Sequence, residues 1–363
     1  MKFKITKATF LDGLKSVQNI VSSKTSAPVM QNVRLEAQDG FLRMTTTDID
    51  ISIDGKVECE TGEAGATTLP VKILSSMVSC SADGVIEVEV DTNDTATIFA
   101  GSAKYRLSGI SEKLFPTLPN EEGAYSYTIS SALLKEMLRK TAYAASQDDT
   151  RRNLRGVLMR FKDGKLTMVA TDGRRLALVE KETEFANDAE RDVILPMKAV
   201  QELQRALVSE GDVVMRVQGT QVSFNLGKYT VYSKLVDDNY PNYQQVIPSN
   251  IENSITLDRQ MFISAIERVG VVTSGAQSIR LVFSDNVLQV SASETEIGYA
   301  KDELPIKYVG EVIEIVFNAT YLMDPLKAID DDEVTINLDN GHSPAIIRCS
   351  VPFLYVIMPL REN

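Results

Sequence analysis

Histidine occurs once in this 363-residue chain, at His342, and cysteine three times, at Cys59, Cys80 and Cys349. One imidazole, with no nucleophile-elbow serine motif, leaves a Ser-His-Asp hydrolase without its parts. The cysteines are scattered, odd in number and never spaced CxxC, which excludes a disulfide framework or a thiolate zinc site and reads them as small buried hydrophobes. No glycine-rich phosphate loop of the form GxxxxGK followed by Ser or Thr is present, so ATP hydrolysis is not expected, and no cofactor is implied. Apolar runs never approach the ~18 residues of a membrane span, and MKFKITKATF lacks a signal peptide's apolar core; a cytoplasmic location away from membranes is expected. Positive charge is also short, with 38 Lys+Arg against 50 Asp+Glu and a net of −12. That deficit argues against a nucleic-acid partner unless the basic residues are gathered on one surface.

What is present is a repeat. The hydrophobic fraction of 44% and charged fraction of 24% are those of a globular protein, and the length suits two or three domains of ~100 to 150 residues. FKITKATFLDGLKSVQNIVSS from Phe3, YTISSALLKEMLRKTAYAAS from Tyr127 and ITLDRQMFISAIERVGVVTS from Ile255 each read as a short strand and then a helix. Their apolar residues recur at helical spacing: Phe10, Leu14 and Val17; Leu134, Leu138 and Ala142; Phe262, Ile266 and Val269. Ser130 and Asp258 stand where an N-cap belongs. Downstream, GFLRMTTTDIDISI, GKLTMVATDGRRLALV and NVLQVSASETEIGYA each read as strand, polar turn and strand, followed by a second helix from Leu69, Leu195 or Phe317 and closing alternating strands.

This recurrence, at an offset of ~125 residues, predicts three copies of one α+β domain. The copies span 1–120, 121–248 and 249–363 and are joined by the Pro-bearing stretches SEKLFPTLPNEEGAYS and VDDNYPNYQQVIPSNIENS. Pro325 predicts a kink in the last helix, or a helix that starts with Asp324 as its cap.

The repeat also organises the charge. The six helices expected at 6–22, 70–80, 130–146, 196–209, 258–274 and 319–329 hold 11 basic and 6 acidic residues, a sum of +5, which leaves −17 for the remaining chain. Segregation of this kind suits a polyanion met by helices and repelled by strands, with sequence-independent, salt-sensitive phosphate contact and no base reading. Lys72, Arg139, Lys140, Lys198 and Arg205 are the helix candidates for that contact.

The threefold repeat, ATDGRRLA from Ala170, SKLVDDNYPNYQQVIP from Ser233 and the terminal YVIMPLR closely resemble the bacterial DNA polymerase III beta subunit family, the sliding clamps, over the whole chain. The resemblance implies a non-catalytic, head-to-tail homodimer whose six domains close a ring around duplex DNA, with helices lining the hole. It also implies a pocket between the second and third domains for short linear peptides of the replicative polymerase, the clamp loader and repair proteins. Carried over position by position, that pocket comprises Leu154, Thr171, Gly173, Arg174, Arg175, Leu176, Pro241, Val246, Val356, Ile357, Met358, Pro359, Leu360 and Arg361. The apolar members would form a floor for peptide anchors, while Arg174, Arg175 and Arg361 would bond peptide carbonyls or acidic side chains.

The same resemblance adds Lys24, Arg151 and Arg152 as DNA-facing loop residues, and Tyr105 and Leu107 with Val271 and Val272 as the ring junction. An apolar edge strand calls for a covering chain. The chain departs from the family at Arg174, where several members carry histidine, at Gln245, where some carry arginine, and at Leu360, where methionine is common. Glu362 and Asn363 extend past the usual end. Two other classes remain open: an acidic interaction scaffold without DNA, and a carboxylate-metal nuclease drawing on Asp48 and Asp50 or on Asp330 to Glu333.

Overall fold

The computed structural model describes residues 1–22, 27–185, 189–249, 251–272, 278–292, 298–349 and 352–361. Six α-helices lie among them: α1 (Lys7–Val17), α2 (Val71–Cys80), α3 (Ser131–Thr141), α4 (Met197–Ala206), α5 (Arg259–Gly270) and α6 (Ala319–Ala328). All recorded strand pairings among the described residues are antiparallel, so the architecture is α+β. The apolar positions picked out by helical spacing in α1, α3 and α5 are all buried, together with Ala142 just beyond α3. Asp258 caps α5, accepting the Met261 N–H at 2.7 Å, and Thr6 caps α1 by accepting the Thr9 N–H at 3.2 Å. The first, third and fifth helices are shorter than expected, because the chain tightens into single 3₁₀ turns at Gln18–Ile20 and Ala142–Ala144 and leaves α5 at Gly270.

The chain forms two compact units. The first, 1–135 with 198–235, holds a five-stranded sheet that ends on the edge strand Ala103–Ser108, and an eight-stranded sheet. In that larger sheet Tyr229–Lys234 pairs with Ile51–Glu58, so closing strands of the second repeat continue the first repeat's sheet. The second unit, 136–197 with 236–363, holds a four-stranded sheet and another eight-stranded sheet. There Arg175–Glu182 pairs with Phe353–Ile357, which joins the polar turn of the second repeat to the C-terminal strand.

One of the two alternatives for the last helix, and the reading of the cysteines, are corrected. α6 runs through Pro325 and starts at the Asn318 cap, whose side chain accepts the Tyr321 N–H at 3.1 Å, rather than at Asp324. Pro325 cannot donate to the Tyr321 carbonyl four residues back, and the Tyr355 hydroxyl donates to it instead, at 2.7 Å. Cys80, at the last position of α2, is exposed, and Cys59 and Cys349 are half-buried, so none is a fully buried hydrophobe.

Candidate functional site

The turn between Lys165–Thr171 and Arg175–Glu182 is built by its own side chains. The Thr171 hydroxyl accepts the Gly173 N–H at 3.1 Å and donates to the Arg175 carbonyl at 2.5 Å. The Asp172 carboxylate accepts the amides of Arg174 and Arg175 at 2.9 and 3.1 Å. Gly173 has φ +87°, in the left-handed region that favours glycine, and a Cβ there would meet the end of the Arg151 side chain at 3.0 Å. On its other side the hairpin is laced to the C-terminal strand: Arg175 opposes Ile357, Leu176 opposes Val356, and the Met358 N–H donates to the Arg174 carbonyl at 2.9 Å.

Beside this junction lies a cavity of about 540 Å³, all of it within the second unit. It brings together Leu154, Thr171, Gly173, Arg174, Arg175, Leu176, Pro241, Val246, Val356 and Met358. Leu158, Val169, Ile194, Tyr243 and Ile346 pack with Leu176 and Val356 in one apolar cluster that supports them. Val246 and Met358 remain 54% and 44% exposed. An apolar side chain entering here would cover hydrophobic surface already in contact with water.

Four carried-over residues are not among the lining. Ile357 is wholly buried, because alternation along the strand turns it away from the face that carries Val356 and Met358. Pro359, Leu360 and Arg361 lie past the strand's end, where the Leu360 N–H bonds the Val316 carbonyl at 2.8 Å. The lining also includes Asn242, Tyr243, Gln245, Ile247, Pro248 and Pro344. All but Pro344 fall inside SKLVDDNYPNYQQVIP and were within reach of the sequence; Pro344 carries no signal there.

The two arginines of the turn differ. Arg174 is exposed, and no ion pair is recorded for it among the described residues. Arg175 is only 9% exposed, with its guanidinium committed to Asp172 at 3.0 Å, Asp324 at 2.5 Å and the Tyr143 carbonyl at 2.5 Å, over the ring of Tyr321 at 4.2 Å. Burial pulls its pKa down, but Tyr355 and Asp324 outweigh that and hold it above the ordinary value. Arg175 thus lines the cavity while its guanidinium braces the turn from within the fold.

The basic residues expected at a polyanion are mostly answered within the fold. Lys140 is a correction: its side chain is 2% exposed and bonded to Glu136 one turn back at 2.6 Å, so its ammonium does not reach an outside phosphate. Arg139 grips Asp330 with both terminal nitrogens, Lys198 pairs with Asp48, and Arg205 leans on buried Glu202 at 3.3 Å. Arg151 donates to the Asp172 carbonyl at 3.2 Å, which puts it against the cavity's turn, and Arg152 is exposed. Lys72 is exposed with Lys15 in a groove of about 640 Å³ between α1 and α2, and neither has an ion pair recorded among the described residues. Lys24 lies outside the described residues.

Tyr105 and Leu107 alternate, half-buried, with exposed Lys104, Arg106 and Ser108 on an edge strand. Val271, just past α5, is 82% exposed, and Val272 is half-buried. Three of the carboxylates considered as metal ligands are engaged by cations: Asp48 by Lys198, Asp50 by Lys234 and Asp330 by Arg139. Among the described residues no three His, Cys, Asp or Glu side chains converge as a metal would need.

Family models for the N-terminal, central and C-terminal domains of the DNA polymerase III beta subunit match residues 1–119, 128–242 and 244–361. The chain is 31% identical to a beta sliding clamp of Chlamydia muridarum, covering 99% of each, and 32% identical to one of Synechocystis sp., again covering 99% of each. Among solved structures, the sliding clamp of Pseudomonas aeruginosa bound to griselimycin superposes with a TM-score of 0.95 at 30% identity over 100% of both chains. Three domain matches in order and full-length relatives agree on one conclusion: the chain belongs to the DNA polymerase III beta subunit family, the beta sliding clamps.

Proposed function

We propose that the protein is a DNA sliding clamp, a non-catalytic processivity factor that encircles duplex DNA as a homodimeric ring and holds the replicative polymerase to its template. Each chain contributes three domains, 1–120, 121–248 and 249–363, and six domains close the ring in the cytoplasm. The observation that carries this reading is the ordered match of all three beta-subunit domains along one chain. The cavity supports the second half of it, since clefts lined by apolar side chains with a few polar groups suit short peptides with apolar anchors.

Polymerase, clamp loader and repair proteins would dock there in turn, each by a peptide. Tethering raises a bound polymerase's effective concentration near the primer end, so synthesis runs lengthen without a change in the polymerase's chemistry. DNA itself needs no tight site, because a closed ring retains it by topology. The first domain's α1–α2 groove, with Lys15 and Lys72 uncommitted, and exposed Arg152 are the groups best free to brush phosphates.

Primer extension with the cognate polymerase and loader tests the proposal. Product length should rise when this protein is added and fall back when Met358→Ala replaces it. Equal product lengths with and without the wild-type protein would refute the reading.

A further inference from the structure

We propose that Asp324 is a positioning residue for the cavity: its carboxylate does not line the cavity, yet it fixes the Arg175 guanidinium, and through it the turn that does. The proposal rests on reading that cavity as the peptide pocket. Arg175 is the only member of the turn whose side chain reaches beyond it, bonding Asp172 inside the turn at 3.0 Å and Asp324 on α6 at 2.5 Å. Asp172 in turn holds the Arg174 and Arg175 amides. One chain of bonds thus runs from α6 to the backbone that forms the cavity wall.

α6 is anchored so that this chain of bonds has a fixed end. Tyr321 and Asp324 are three residues apart and share a helix face. The Tyr321 ring lies 4.2 Å from the guanidinium, and its carbonyl, left open by Pro325, takes the Tyr355 hydroxyl at 2.7 Å. Tyr355 belongs to the strand that pairs with Arg175–Glu182, opposite Ala177. The helix therefore grips the same sheet twice, once by a backbone carbonyl and once by a carboxylate. Removing the carboxylate leaves a buried guanidinium nitrogen without its acceptor, and the guanidinium must then turn toward other oxygens, taking the turn with it.

Asp324→Asn keeps an acceptor oxygen, and Asp324→Leu is of similar size without one. Amide hydrogen exchange at Gly173, Arg174 and Arg175, measured without peptide, reads the turn directly. Affinity for a labelled peptide from the cognate polymerase reads the cavity. The leucine variant should speed exchange and weaken the peptide by about tenfold each, while the asparagine variant stays within about twofold of wild type. Tyr355→Phe should move both readouts in the same direction by about threefold, and it carries the test should the leucine variant not fold.

Unchanged exchange and affinity in the folded leucine variant would overturn the proposal. Equal losses in the asparagine and leucine variants would overturn it too, since the acceptor would then not be what matters. A wild type that binds no such peptide would overturn the peptide reading of the cavity, an outcome told apart because exchange at the turn is followed without peptide.

Discussion

Met358 lines the cavity and is 44% exposed, while its N–H is fixed to the Arg174 carbonyl. Truncating it to alanine removes contact surface without disturbing the strand. Peptide affinity should fall by about 1 to 2 kcal/mol while the melting temperature stays close to wild type, as calorimetry would read. Arg175→Ala behaves differently, because it strips a cation from between Asp172 and Asp324 and leaves part-buried acceptors without their donor. A loss of about 3 kcal/mol in urea unfolding is expected, so weaker peptide binding in that variant would not report a lost ligand contact. The sequence places both arginines on a polar turn but cannot tell them apart. Their difference comes from Asp324 and Tyr321, about 150 residues further on, which the chain brings beneath one of them. Lys140 was hidden for a similar reason: spacing marks its helix, whereas its burial depends on what packs against that face.

Among the repeated elements, the polar turns of the first and second repeats share their bonds but not their surroundings. Thr47 to Ile51 copies the bonds of Thr171 to Arg175, with the Ile49 N–H on the Thr47 hydroxyl and the Lys234 N–H on the Asp50 carbonyl. The surroundings are not copied: Ile49, at φ +75° and 64% exposed, stands in place of Gly173, Lys234 in place of Met358, and Ser52 in place of Leu176. The first copy thus has the turn without the apolar floor, and titration should give one peptide per chain; two equivalents would contradict this. The helices' core faces were plain from periodicity, but their free charge was not, because partners such as Asp330 and Asp48 lie in other elements. Arg139 holds the Asp330 carboxyl below the ordinary carboxylate range, chiefly through their hydrogen bonds. A carboxyl depressed by folding stabilises above its unfolded pKa and loses that contribution as pH falls through the folded value. The stability gap between wild type and Asp330→Asn should therefore be larger at pH 7 than at pH 3, as denaturation at both would read.

At the scale of the molecule, the threefold repeat was open to inspection in the sequence, whereas the joining of neighbouring repeats into continuous eight-stranded sheets was not. That joining depends on registers such as Tyr232 opposite Ser52 and Leu178 opposite Leu354, between strands far apart in the chain. The half-covered edge strand with Tyr105 and Leu107 calls for a second copy, giving a particle of about 80 kDa from chains of 40.0 kDa. Charged substitutions at Leu107 and Val272 together should yield monomers in sedimentation, with the fold intact by circular dichroism. An acidic ring has little reason to cling to DNA except by enclosing it, and topology can be tested without reference to affinity. The protein is loaded onto nicked circular DNA by its clamp loader, freed of excess by gel filtration, and filtered again after one linearising cut. The account predicts that it travels with the circle and leaves once the DNA has ends. Failure to be retained on the circle, or equal retention before and after the cut, would contradict it.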